Sequence, residues 1–251
     1  MGEAFERSLK RTLDQLTVLG RRVEGGDFSL VYQPVVSLTG EPRLHHYEAL
    51  IRFADQGTPF AMIRMAEEMD LVCALDAAVV DRALAKLQAA PALMLAVNVS
   101  GRSMSNPAFV AHLRQRLRAT PGVRGRLMFE LTESVAVGDL GLADRHIQAL
   151  RAEGCEVCLD DFGAGASSLA YLQQLNVDVV KIDGSFIREL GSDPMSRTIV
   201  SAIVQIGHQR GLKVVAEWVD NDGARGVLDE LGVDYGQGFA LHEPERVMFQ
   251  R

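Results

Sequence analysis

The stretch LVYQPVVSLTGEPRLHHYEALI, residues 30–51, decides the fold. It holds two apolar, β-branched runs, residues 30–36 and 44–51, joined by a short link around Leu38-Thr39-Gly40-Glu41-Pro42-Arg43. A parallel crossover needs about a dozen residues or more, so these two strands are expected to form an antiparallel hairpin. Downstream the pattern changes. Strand-sized runs recur at residues 93–99, 127–131, 156–159, 177–182, 212–219 and 233–239. Helical periodicity fills most of the gaps, at residues 61–87, 108–118, 140–153, 168–175, 196–210 and 222–231. Alternating strand and helix argues for parallel neighbours with helical crossovers. Eight strands in 251 residues predict an α/β fold, a (β/α)8 TIM-like barrel with an antiparallel first strand.

Ahead of the hairpin, Phe5, Leu9, Thr12, Leu16, Leu19 and Val23 recur at spacings of three and four. That is the apolar stripe of an amphipathic helix, and Gly25-Gly26 ends it. The stripe suits either a helix packed on the domain or a stalk or linker remnant that could engage a second copy or a protein partner. Residues 1–26 are therefore set apart from a single domain over residues 27–251, which contains no low-complexity tract and no internal repeat.

Acidic residues outnumber basic ones, 33 to 26, for a formal charge of −7, which argues against binding a nucleic-acid polymer or an anionic membrane through bulk charge. No apolar run approaches the roughly 18 residues of a membrane span, and residues 1–10 carry Glu3, Glu6, Arg7 and Lys10 in place of a signal-peptide core. The three cysteines, Cys73, Cys155 and Cys158, make no disulfide framework. Cys155 and Cys158 have a C-x-x-C spacing, but on a strand they face opposite sides. The expectation is a cytoplasmic chain with reduced thiols, or the C-terminal portion of a larger protein with or without a membrane anchor.

In a barrel of this kind the chemistry gathers where parallel strands run out into their following loops. Polar residues stand at those places: Glu48 and Arg52, Asn98, Glu130 and Glu133, Asp160 and Asp161, Lys181 and Asp183, Glu217, and Gln237. Carboxylates in apolar strands are costly unless paired or metal-bound. A donor set made of oxygens favours Mg2+ or Mn2+ over zinc. Several converging carboxylates can hold two such ions, an arrangement that serves phosphoryl hydrolysis. A nearby lysine can orient a water or take up developing charge. Other chemistries lack their parts. No G-x-S-x-G occurs, and Asp161-Phe162-Gly163 is not accompanied by the other kinase motifs. His45 and His46, as neighbours on a strand, are expected to point to opposite faces, which argues against their holding a metal together.

Several of these segments, in this order, resemble one family. Tyr47-Glu48-Ala49-Leu50-Ile51-Arg52 is similar to the signature that names the EAL domain. The other similar segments are Val97-Asn98-Val99-Ser100, Phe129-Glu130-Leu131-Thr132-Glu133-Ser134, Asp160-Asp161-Phe162-Gly163-Ala164-Gly165, Val180-Lys181-Ile182-Asp183, Val215-Ala216-Glu217 and Gly236-Gln237-Gly238. The resemblance runs from about residue 28 to 244. It implies binding of the bacterial second messenger cyclic di-GMP and, in active members, hydrolysis to linear pGpG with two Mg2+ or Mn2+ ions. It also implies motility and surface attachment (biofilm formation) as regulated outputs. Carried over residue by residue, it makes Glu48, Asn98, Glu130, Asp160, Asp161 and Glu217 metal ligands, with Asp160 bridging. Lys181 would position the nucleophilic water and Glu133 would anchor the loop after the fifth strand. Asp183 and Gln237 would support the site, Arg52 would touch the ligand, and Asp76 would read a guanine edge.

The chain departs from the family pattern in places. The segment after Arg52 is shorter than usual, Ala78 stands where a tryptophan is common, and Ala164 and Ala166 replace the common Thr and Tyr. Trp218 replaces a frequent glycine and Asp220 a glutamate. None of these removes a metal ligand. Two readings follow from the resemblance: a metal-dependent cyclic di-GMP phosphodiesterase, or a receptor that binds the nucleotide with little or no turnover and signals through a partner.

Overall fold

A computed structural model describes residue 20 and residues 27–53, 59–132, 139–163 and 168–246. All six residues of the amphipathic stripe before the barrel lie outside the described residues.

Eight strands close into one barrel in chain order. They are β1 (Phe28–Ser37), β2 (Leu44–Phe53), β3 (Leu95–Val99), β4 (Leu127–Thr132), β5 (Glu156–Phe162), β6 (Val179–Ile182), β7 (Lys213–Ala216) and β8 (Tyr235–Gly236). β1 runs antiparallel to both its neighbours, β2 and β8, and every other pair is parallel. The hairpin link is closed by Ser37 N–H donating to Arg43 O at 2.9 Å. The barrel with one reversed strand is the architecture that the six-residue link demands.

Nine α-helices lie among the described residues: α1 (Pro59–Glu68), α2 (Val72–Ala89), α3 (Gly101–Met104), α4 (Pro107–Ala119), α5 (Leu140–Ala152), α6 (Ser168–Gln174), α7 (Gly184–Arg188), α8 (Pro194–Gln209) and α9 (Asp222–Glu230). The periodicity over residues 61–87 predicts one helix, but the chain makes two. Asp70 takes φ +56°, and Leu71 N–H reaches back to Ala66 O at 2.8 Å while Asp70 N–H bonds Glu67 O. This is a Schellman stop, which glycine usually supplies, so the sequence carries no obvious marker for it. α3 and α7 are too short to leave a periodicity. Each starts at a side-chain cap, Ser100 or Asp183, that accepts from a backbone N–H.

Strand alternation sorts the barrel interior into two layers. The lower one is apolar, with Val35, Ala96, Met128, Cys158, Val179 and Val215 packed together and Tyr235 against them. Two residues further along each of β3 to β8 stand Asn98, Glu130, Asp160, Lys181, Glu217 and Gln237. On reversed β1 the same step runs backwards, from Val35 to Gln33. The outward-facing residues, such as Val97, Phe129, Leu159, Val180 and Val214, join Leu84, Ile147, Leu150 and Val204 of the helices in the main core. Each such buried aliphatic or aromatic side chain stabilises by about 1.5–3 kcal/mol. Cys155 belongs to that outer core and Cys158 to the inner layer, both as free thiols, so the C-x-x-C pair does face two ways.

The expectation for His45 and His46 needs correction. The β1–β2 register steps from Val35↔His46 to Val36↔Leu44, leaving His45 as the extra residue of a β-bulge. The bulge breaks the alternation, and the two Nδ1 atoms come within 2.7 Å.

Candidate active site

The upper layer of the barrel converges on one ammonium group. Lys181 Nζ lies 2.8 Å from Glu217 Oε1, 3.1 Å from Asp160 Oδ1, 3.2 Å from Glu130 Oε2 and 3.5 Å from Glu48 Oε2. Lys181 is 1% exposed, and Glu48, Glu130 and Asp160 are buried around it. Glu48 is held further by two amides. Asn98 Nδ2 donates to Oε1 and Gln237 Nε2 to Oε2, each at 2.6 Å, and Gln237 Nε2 also donates to Gln33 Oε1 at 3.0 Å. Sequence positions 133 residues apart thus meet because β2 and β6 bring matching inward positions to the same height.

One lysine does not balance this set. Burial pushes the Glu130 carboxyl well above the usual carboxylate range, and the neighbouring Glu48 charge pushes it further. Burial likewise raises Glu217 to about 8, against the pull of Lys181. For Glu48, burial acts upward too, but Lys181 and the bonds from Gln237 and Asn98 prevail and hold it at about 2. Four carboxylates raise Lys181 well above its ordinary range although burial opposes them. Glu130 Oε1 is buried with no hydrogen-bond partner among the described residues. An orphaned carboxylate oxygen and an excess of acid groups are what cations relieve, so the donor set fits bound divalent ions.

Asp161 joins the cluster by a local distortion. The β5–β6 register shifts between Leu159 and Phe162, and Asp161 takes φ +54°. Regular alternation would turn its side chain away from Asp160. Here Asp160, Asp161 and Glu217 each offer an oxygen, all within 4.8 Å of one another.

Beside Glu48 and Glu217 opens a cleft of about 340 Å³. Its walls include Arg52, Glu48, Glu217 and Gln237 from the predicted set. Two predicted residues lie elsewhere. Asp76, on α2, is buried and accepts from Ser100 N–H at 2.9 Å, outside the cleft lining. Asp183 caps α7, accepting from Ser185 N–H at 2.9 Å and from the Ser185 hydroxyl. Glu133 lies outside the described residues. Gln33, Leu50, Asp220, Phe239 and Pro244 line the cleft without having been singled out as ligand contacts. Gln33 carried a readable signal, a polar side chain in the middle of an apolar strand, as Glu48 did. Trp218 and Phe239 fall in the strand-sized runs 212–219 and 233–239, but β7 and β8 stop at Ala216 and Gly236, so strand alternation does not place these two exposed aromatics on the cleft.

The model of the EAL domain matches residues 17–244. The chain belongs to the EAL family. This EAL chain is 32% identical over 252 residues to cyclic di-GMP phosphodiesterase PdeF of Escherichia coli (strain K12), covering 96% of itself but 33% of PdeF. It therefore spans about a third of that relative's length. Among solved structures, the PaMucR phosphodiesterase in its c-di-GMP complex superposes with a TM-score of 0.82 at 33% identity, covering 92% of this EAL chain and 97% of that one. The FimX EAL domain from Pseudomonas aeruginosa bound to c-di-GMP gives 0.84 at 26% identity, with 94% and 98% covered. Among the described residues of this EAL chain, no helix is long and apolar enough to cross a membrane.

Proposed function

We propose that this chain hydrolyses cyclic di-GMP to linear pGpG with two divalent cations, Mg2+ or Mn2+. The observation that carries the reading is the ring of Glu48, Glu130, Asp160 and Glu217 around Lys181, two of whose members, Glu48 and Glu217, line an open cleft. The EAL relatives named as cyclic di-GMP phosphodiesterases support it.

Glu48, Asn98, Glu130, Asp160, Asp161 and Glu217 would hold the ions. Bound there, the cations would stabilise both the attacking and the leaving oxygen of an in-line displacement at phosphorus. Lys181 keeps its proton in that acidic shell, so its Nζ can donate to the attacking water's oxygen or to a phosphoryl oxygen as negative charge builds. Arg52, on the cleft wall, offers its guanidinium to a phosphate. Gln237 and Asn98 fix Glu48 so that its two oxygens stay presented. Asp76 and Asp183 act on the loops carrying the site, through Ser100 and Ser185, and Glu133 on the loop after β5. In this reading the chain works in the cytoplasm, as one domain over residues 27–251. Residues 1–26 would serve engagement of a second copy or a partner.

The test is incubation of the purified chain with cyclic di-GMP and Mg2+ or Mn2+, followed by separation of products. pGpG that forms with metal and disappears with chelator supports the proposal. Tight binding without pGpG would replace it with the receptor reading.

A further inference from the structure

Trp218 is the only tryptophan in the 251 residues, and its backbone sits at φ +55°. For a bulky side chain that is a genuine outlier, which persists only where the surroundings fix it. Two residues of α7 supply the surroundings. A Cβ on Gly184 would fall 2.3 Å from both Cγ and Cδ1 of the indole, so only glycine lets the ring lie down there. The Arg188 guanidinium carbon stands 4.2 Å from the ring centroid. Positions 184 and 188 are one helical turn apart on one face of α7, and both lie against the indole. Even so, Trp218 is 50% exposed, and it lines the cleft beside Glu217.

Packing alone does not account for this arrangement. A glycine would suit the backbone angle better, and a ring placed only to cover α7 would not leave the residue half exposed at the cleft. The geometry points to Trp218 as a stacking platform for a purine base, with Gly184 and Arg188 holding the indole flat and its other face turned to the ligand. The inference rests on the cyclic di-GMP reading. In a cyclic dinucleotide the phosphodiester must reach the acidic floor, which leaves the bases to meet the walls. An aromatic face one residue from Glu217 is placed to receive one of them.

Because the chain has one tryptophan, its emission reports this site alone. The experiment titrates cyclic di-GMP into the whole chain, with Ca2+ as the cation, following fluorescence and calorimetry together, with inorganic phosphate as the base-free control. The expected result is a saturable change in emission that tracks the calorimetric isotherm and does not occur with phosphate. Trp218→Gly, which keeps the backbone angle, should weaken affinity about tenfold, while Trp218→Phe should stay within about threefold of wild type. Calorimetric binding with unchanged emission, or Trp218→Gly binding as tightly as wild type, would overturn the platform and leave the nucleotide reading standing. No calorimetric binding of cyclic di-GMP at all would overturn both.

Discussion

Lys181 Nζ is closer to Glu217, at 2.8 Å, than to any other carboxylate of its ring. Glu217 lies just past the end of β7 and Lys181 lies within the neighbouring β6, so the pair ties two adjacent strand ends across the barrel mouth. Removing the ammonium leaves buried carboxylates facing one another. Lys181→Met should therefore destabilise the chelator-treated protein by about 3–5 kcal/mol. Chemical denaturation in EDTA measures this. If cations reach the same carboxylates, added Mn2+ should restore part of the loss while turnover stays at least ~100-fold down.

Glu130→Gln gives the opposite signature. Glu130 is buried with one oxygen unsatisfied, and its carboxyl is held well above the usual range. The amide is neutral, the state that burial already favours for this side chain in the metal-free fold, so the melting temperature in EDTA should rise or hold. The upward shift that Mg2+ or Mn2+ gives the wild type should vanish in the variant. A variant that still gains stability from metal as the wild type does would remove Glu130 from the ligand set.

Asp76 provides a pH test away from the acidic ring. Burial raises its carboxyl from 3.8 to about 6, against hydrogen bonds from Ser103 and Ser100. The folded state therefore binds this proton more tightly than the unfolded chain does. The contribution to stability is full below about pH 4 and is lost as pH rises through about 6. Asp76→Asn keeps an acceptor for Ser100 N–H and removes the titration. Relative to this variant, wild type should lose on the order of 2–3 kcal/mol between pH 4 and pH 7. Parallel curves for the two proteins would contradict the assignment.

Gly238 tests how closely the ends of β7 and β8 must approach. A Cβ there would lie 2.2 Å from Val219 N and 2.4 Å from Val219 O, both backbone atoms that cannot swing aside. Val219 N–H also bonds Gln237 O at 3.0 Å. Gly238→Ala should cost about 2 kcal/mol or more in urea unfolding. Since Gln237 and Trp218 flank the contact, ligand affinity should fall with it.

Much of this was legible in the sequence because it follows from two periodicities. The six-residue link after Ser37 forced a reversed strand, and alternation put Glu48, Asn98, Glu130, Asp160, Lys181, Glu217 and Gln237 on one inner layer. What alternation could not give were its own interruptions. The bulge at His45 brings two imidazoles together that a regular strand would separate. The distortion at Asp161 brings a second aspartate into the cluster, which motif likeness suggested and strand geometry alone would have denied. Asp70 stops a helix without a glycine, and the hydrogen bond that Asp76 accepts comes from Ser100, a partner 24 positions away.

The direction of β1 has an effect on how the domain is wired. Phe28 pairs with Phe53 and Ser29 with Arg52, so the polypeptide enters the barrel beside Arg52, on the rim where the cleft opens. In an all-parallel barrel the first strand would start from the far floor. Here the first strand starts on the same rim as the candidate site. The hairpin that starts there also carries Gln33 and Glu48, paired opposite each other, so the entry of the barrel and its acidic layer share one two-stranded unit.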